Sequence, residues 1–343
     1  MRLARVLALG LVAVCAVCAA ACGGGASAAS VDLHGAGASF PYPLYDRWFK
    51  DYVASHPNTT VDYQSVGSGA GITQFTNKTV DFGASDAAMT DEEISKVDRG
   101  VQLIPMTAGS IVLSYNLPDL NAPLKLSRKT YSGIFLGKIT KWNDPAVAAD
   151  NPGAKLPALV ITLVHRADSS GTTYNMTQHL SAISPEWKDG PGTSKAPNWP
   201  AGIGSKGNEG VTSTLQQTPG AIGYVEYGYA KQSKLTMAAL ENKAGKFVEP
   251  NTASGQAALA GAPLPDNLRV FLPDPEGADA YPVVTYTWLL LYKNSDKPTS
   301  TAALKDIVKY CLTDGQKVSE EMGYIPLPAS VVAADIKALD NIK

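Results

Sequence analysis

From Val31 to the C-terminus, short apolar runs alternate with amphipathic stretches. A chain built this way can bury its apolar faces only by laying helices over sheets, which predicts an α/β fold with largely parallel strands. Strands are expected at Val31–Leu33, Val61–Tyr63, Val101–Pro105, Ile111–Tyr115 and residues 159–164, and a central strand in the β-branched and aromatic run from Val283 to Tyr292. Leu44, Trp48 and Tyr52 recur at helical spacing, widened by Tyr45 and Phe49, so a helix with one buried face follows the first strand. Pro41 and Pro43 fit its first turn. Thr90-Asp91-Glu92-Glu93 forms a capping box, Ser127 caps a helix through Phe135, and the chain from Ala302 onward reads as mostly helical. The Pro/Gly-rich stretches at 189–210 and 250–279 read as surface loops or lobe decorations.

The first 30 residues stand outside this pattern. Arg2 and Arg5 precede an uncharged run of 16 residues, Val6 to Ala21. That is short for a membrane span, which needs ~20 residues, and suits a signal peptide over residues 1–21. Ala19-Ala20-Ala21-Cys22-Gly23 resembles a bacterial lipoprotein processing site, which makes Cys22 the lipidation residue and 22–30 a flexible tether. Without Arg2 and Arg5, the 29 basic residues fall to 27 against 31 acidic ones. No global basic field draws nucleic acid, so an anion must be captured by a local site. Cys15 and Cys18 leave with the signal and Cys22 is the anchor, so Cys311 has no disulfide partner.

Polar clusters fall where strands end. His165-Arg166-Ala167-Asp168-Ser169-Ser170-Gly171-Thr172-Thr173 joins an apolar run to a helical segment, Tyr174 to Leu180. Free N–H groups at a helix start, next to a guanidinium fork, suit phosphate or carboxylate. Gly35-Ala-Gly-Ala-Ser-Phe40, Gly67-Ser-Gly-Ala-Gly71 and Val80-Asp-Phe-Gly-Ala-Ser-Asp86 share this character. None fits a common catalytic or nucleotide motif. The first two lack the third glycine of a dinucleotide fingerprint, and Gly202 to Gly207 has P-loop spacing but is followed by Asn208 where lysine is required. Ser170 lacks the glycine of a nucleophile elbow. His34, His56, His165 and His179 have no metal-ligand spacing, so neither a metal nor another cofactor is expected, and His165 reads as a packing residue.

Asp86 is the exception among these donors. A carboxylate repels a fully deprotonated oxyanion and accepts a hydrogen bond from one that keeps a proton. Hydrogen phosphate qualifies at neutral pH and sulfate does not.

Gly35-Ala-Gly-Ala-Ser-Phe-Pro41, Gly67-Ser68-Gly69, Thr79-Val-Asp-Phe-Gly-Ala-Ser-Asp86, Arg166-Ala-Asp-Ser-Ser-Gly-Thr172 and Pro219-Gly-Ala-Ile-Gly-Tyr-Val-Glu-Tyr227 together resemble the periplasmic phosphate-binding protein of the high-affinity phosphate ABC importer. The likeness runs in order along essentially the whole mature chain. It implies a two-lobed, periplasmic-binding-protein-like fold of the cluster type (type II), with 31–108 plus 280–343 as one lobe and 109–279 as the other. It implies a monomeric receptor with no catalytic activity, on the outer face of the cytoplasmic membrane or in the periplasm. Inorganic phosphate would be its ligand, the permease and ATPase subunits its partners. Carried over by motif, Ser39 offers its N–H and hydroxyl, Phe40 its N–H and Ser68 its hydroxyl. Asp86 accepts the phosphate proton. Arg166, oriented by Asp168, supplies the charged fork, and Ser170, Gly171 and Thr172 supply N–H groups, with hydroxyls from Ser170 and Thr172. Ser39 stands where the family often has Thr, and Ser169 where it often has Gly. Glu226 reads as a surface or hinge residue.

Overall fold

The computed structural model describes residues 30–120, 123–262 and 264–343; the expected signal peptide and Cys22 lie outside them. The strands are β1 (Val31–Gly37), β2 (Thr59–Ser65), β3 (Phe82–Ser85), β4 (Val101–Tyr115), β5 (Lys125–Leu126), β6 (Thr162–Arg166), β7 (Ile203–Ser205), β8 (Ala221–Glu226), β9 (Thr236–Met237), β10 (Ala239–Glu241), β11 (Phe247–Val248) and β12 (Val284–Tyr292). The main sheet runs β2-β1-β3-β12-β4-β8-β6-β7, with β9 on β4; β11, β10 and β5 make a small second sheet.

The sheet is mixed rather than largely parallel. β1 pairs in parallel with β2 and β3, and β6 with β7 and β8. The centre is antiparallel, β12 against β3 and β4, and β4 against β8. Parallel pairing needs a crossover helix between strands, whereas β12 and β4 belong to distant parts of the chain and meet without one.

β4 joins the two halves. The sequence suggests two strands here, but one strand of 15 residues, all buried, runs through both. Val101 to Ser110 pairs with β12, and Ile111 to Tyr115 pairs with β8. A register shift sits opposite Thr287/Trp288, beside Pro105, which has no N–H for the ladder. Gln316 donates to the Met106 carbonyl there (2.9 Å), so the irregularity costs no unpaired acceptor.

Local signals set most helices. Tyr42–Ser55 buries Leu44, Tyr45, Trp48, Phe49 and Tyr52. Thr90 and Glu93 form their capping box, and Ser127 caps Arg128–Phe135. The stretch 159–164 departs from expectation: β6 begins at Thr162, and Leu159 and Val160 are exposed, because pairing with β8 starts only at Thr162 opposite Ala221. The two Pro/Gly-rich stretches hold β7 and the helix Thr252–Ala260 as well as loops.

Asp335, in the helix Ala329–Ala338, is fully buried, and neither carboxylate oxygen has a hydrogen-bond partner among the described residues. Burial pushes it up to about 9 from an ordinary value of 3.8. The native state then keeps a proton that the unfolded chain releases, and stability falls as pH rises across that window. Asp335→Leu is expected to raise stability by about 1–3 kcal/mol near pH ~8, with a smaller gain near pH ~4, measured by urea denaturation. A loss of stability at both pH values would contradict this.

Candidate functional site

The site is assembled where β1, β3 and β6 end and the helices Ser68–Thr76 and Gly171–Ile183 begin. Each helix start leaves N–H groups without intrahelical partners. Ser170 caps Gly171–Ile183, its Oγ accepting from Thr173 N (3.1 Å).

Arg166 is held at the end of β6, 3% exposed. Its Nε donates to Asp168 Oδ1 (2.7 Å) and its Nη2 to Asp168 Oδ2 (2.5 Å), a bidentate pair that fixes the guanidinium plane. Nη1 reaches Thr172 Oγ1 (3.3 Å), and Gly207 N donates to Asp168 (3.0 Å). Burial alone would weaken both charges. The pair outweighs it, so Arg166 lies above its ordinary value and Asp168 below.

Asp86 is 1% exposed. Thr172 Oγ1 donates to its Oδ2 (3.1 Å) and Thr287 Oγ1 to its Oδ1 (2.9 Å). Its carbonyl accepts from Asn175 Nδ2 (2.6 Å) and Thr285 Oγ1 (3.3 Å). Burial raises the carboxyl, while the Thr287 and Thr172 hydroxyls and the Arg166 charge pull it down; it settles at about 7, against an ordinary 3.8. Arg166 compensates it only in part, because that charge is shared with Asp168.

Ser68 Oγ accepts from Gly171 N (3.0 Å) and Asp86 N (3.3 Å). With both lone pairs in use, its proton remains to be donated. Ser39 Oγ likewise accepts twice, from Asn208 N and Nδ2 (3.0 Å each). Tyr229 holds the Ser39 carbonyl (2.7 Å) and Tyr324 that of Phe40 (2.8 Å). All eight candidate ligands, with Asp168, therefore lie in one buried region. Among the described residues, the N–H groups of Ser39, Phe40 and Thr172 donate to no protein acceptor. The Ser170 N–H is already given to the Lys195 carbonyl (2.9 Å) and the Gly171 N–H to Ser68, so these two are engaged within the protein.

Backbone approach is close here. A Cβ on Gly67, whose φ is +94°, would lie 2.3 Å from Asp168 Oδ2. A side chain is excluded by both conformation and space.

Sequence reasoning missed Thr285, Thr287, Asn175, Asn208 and Tyr224, the last of which accepts nothing from Arg166's side chain but receives its N–H (3.1 Å). The threonines left a signal, as polar residues two apart in an otherwise apolar strand, Val283-Val-Thr-Tyr-Thr-Trp288. Asn208 is the residue that breaks the P-loop pattern, and its amide instead anchors Ser39. Glu226 is not at the surface: it is fully buried, its carboxyl is pushed well above its ordinary range by desolvation, and it caps the helix Tyr227–Gln232 through Tyr229 N (3.3 Å). His165 stacks on Trp199 with ring centroids 4.6 Å apart, as a packing residue would.

Comparison with known proteins agrees with this fold. The PBP superfamily domain matches residues 24–314. The chain is 45% identical over 303 residues to the phosphate-binding protein PstS of Pasteurella multocida, covering 88% of this chain and 87% of that one. It is 41% identical over 306 residues to PstS of Xylella fastidiosa, with 88% and 83% covered. The crystal structure of a phosphate-binding protein from Stenotrophomonas maltophilia superposes with a TM-score of 0.72 at 19% identity, covering 90% and 94% of the two chains. The two-lobed fold and the sequence identity agree, and the chain belongs to the PstS family of phosphate-binding proteins within the PBP superfamily.

Proposed function

We propose that this chain captures inorganic phosphate outside the cytoplasm and delivers it to an ABC importer. Its family is one of substrate-binding receptors, not enzymes. The observation that carries the reading is a buried carboxyl, Asp86, set among donors: Ser68 hydroxyl, Arg166, Thr172 and the N–H groups of Ser39, Phe40 and Thr172. Such a site satisfies a tetrahedral anion on most of its oxygens and requires a proton on one.

In this reading Ser39, Phe40, Ser68, Arg166, Ser170, Gly171 and Thr172 hold the anion. Asp168 orients Arg166, and Asp86 receives the phosphate O–H. Ser170 and Gly171, whose N–H groups are given to the Lys195 carbonyl and to Ser68, act through the helix start they build. Residues 31–108 with 280–343 form one lobe and 109–279 the other; the change of partner along β4 between Ser110 and Ile111 supports this division. Phosphate bridges the lobes and shifts the population toward the closed form, which the permease and ATPase subunits engage. The receptor acts as a monomer, tethered through lipidated Cys22.

Calorimetry on the chain lacking residues 1–21 tests the reading. Phosphate is expected to bind about 100-fold or more tighter than sulfate, the equivalent of ~3 kcal/mol. Equal affinity for the two anions would overturn it.

A further inference from the structure

Two cations from separate parts of the chain converge on the short helix that follows Asp86. Lys195, in the stretch 189–210, places its Nζ 2.5 Å from Glu93 Oε1, with only 16% and 26% of the two side chains exposed. Arg269, in the stretch 250–279, donates through Nη1 to the Met89 carbonyl (3.0 Å) and lies 2.7 Å from Asp91 through Nη2. Asp91 is 88% exposed, so the Met89 carbonyl is the firmer of these two anchors.

The Lys195 contact reaches the anion site in one step, and the Arg269 contact lies beside the strand that carries Thr287. The Lys195 carbonyl accepts the Ser170 N–H at the start of the arginine-loop helix (2.9 Å). Glu93 Oε2 accepts from Thr90 N (2.9 Å) and so fixes the turn that runs back to Asp86. The Leu268 carbonyl, next to Arg269, accepts from Trp288 Nε1 on β12 (2.7 Å). The segment 86–93 and the loop 166–172 are thus tied at the anion, through Asp86 and Thr172, and again away from it, through Lys195, while Arg269 ties the same segment to the stretch 250–279.

We propose that Lys195 and Arg269 are positioning residues that clasp the Asp86 segment in the closed form, Lys195 against the arginine loop and Arg269 against the stretch 250–279, and so set how slowly phosphate leaves. The proposal rests on the phosphate-receptor reading above. Opening the cleft must break these pairs, whereas an open receptor meeting phosphate has not yet made them. Their effect therefore falls on release, and salt weakens it because the pairs are only partly buried.

The experiment is a chase of labelled phosphate from the mature chain with excess unlabelled phosphate. Lys195→Met with Arg269→Met is expected to release phosphate roughly 3- to 20-fold faster, with the association rate nearly unchanged. Lys195→Arg should restore slow release relative to Lys195→Met. Raising KCl from about 20 to about 500 mM should speed release from the unmodified protein and leave the double variant nearly unaffected. Release unchanged in the double variant, with tight binding retained, would overturn the clasp and leave the receptor reading intact; so would a fall in melting temperature of the phosphate-free protein without faster release. Failure of the unmodified protein to bind phosphate would overturn both.

Discussion

Asp86→Asn is expected to collapse discrimination between phosphate and sulfate by about 100-fold or more, because the amide can donate to a fully deprotonated oxygen that the carboxylate repels. Phosphate affinity itself should change much less, since the amide oxygen still accepts from an O–H. The same substitution carries a stability signature. In the folded protein Asp86 lies at about 7 against an ordinary 3.8, because burial outweighs the Thr287, Arg166 and Thr172 contributions. A raised value means that the native state holds its proton while the unfolded chain has lost it, so stability is lost as pH rises from about 4 through about 7. The upper limit of that loss is roughly 4 kcal/mol. Without phosphate, Asp86→Asn should melt above the parent protein near pH ~8, and the difference should shrink toward pH ~4. Unchanged anion discrimination in calorimetry would remove Asp86 from the ligand set. A melting difference independent of pH would show that its carboxyl is not the strained group.

The second large effect is expected at Arg166. Arg166→Met removes a buried positive charge from the anion site and should weaken phosphate binding by roughly 2–5 kcal/mol. It also strips the bidentate partner from Asp168, leaving Gly207 N as one remaining donor to that carboxylate. Breaking one side of a buried pair is costly, so the variant should lose roughly 3–5 kcal/mol of stability as well. Adding Asp168→Asn should recover much of that stability by removing the orphaned charge, and should recover none of the affinity. This separation marks Arg166 as a ligand and not merely a structural partner of Asp168. A loss of affinity under about tenfold in Arg166→Met, or affinity restored by the second substitution, would contradict the assignment.

Local physics made much of the scaffold legible in advance. The apolar stripe of Tyr42–Ser55, the Thr90–Glu93 capping box, the Ser127 cap and the apolar strand ending at Tyr292 each depend on residues within one or two turns of each other. So did the placement of polar clusters at strand ends, since a strand that stops in a glycine and a hydroxyl leaves donors wherever it is built. Less was legible where a segment's state depends on its neighbours. The stretch Met106–Ser110 carries no alternating pattern, yet it continues β4 because β12 covers it on one side and the sheet turns to β8 just beyond. Leu159 and Val160 look like core residues and are exposed, because the partner strand starts after them.

By itself the sequence determined the inventory: which strand ends would present donors, that one of them would present a carboxylate, and which family order those ends follow. Tertiary structure alone decided what surrounds that carboxylate. Thr287, 201 residues away along the chain, and Thr172, 86 away, donate to its two oxygens, while Asn208 reaches Ser39 across 169 residues. No local pattern encodes such meetings, because they follow from where the β4 crossover brings one half of the sheet against the other. Burial by that assembly is also what raises Asp86 out of its ordinary range, for desolvation belongs to the packed molecule and not to any short stretch of it.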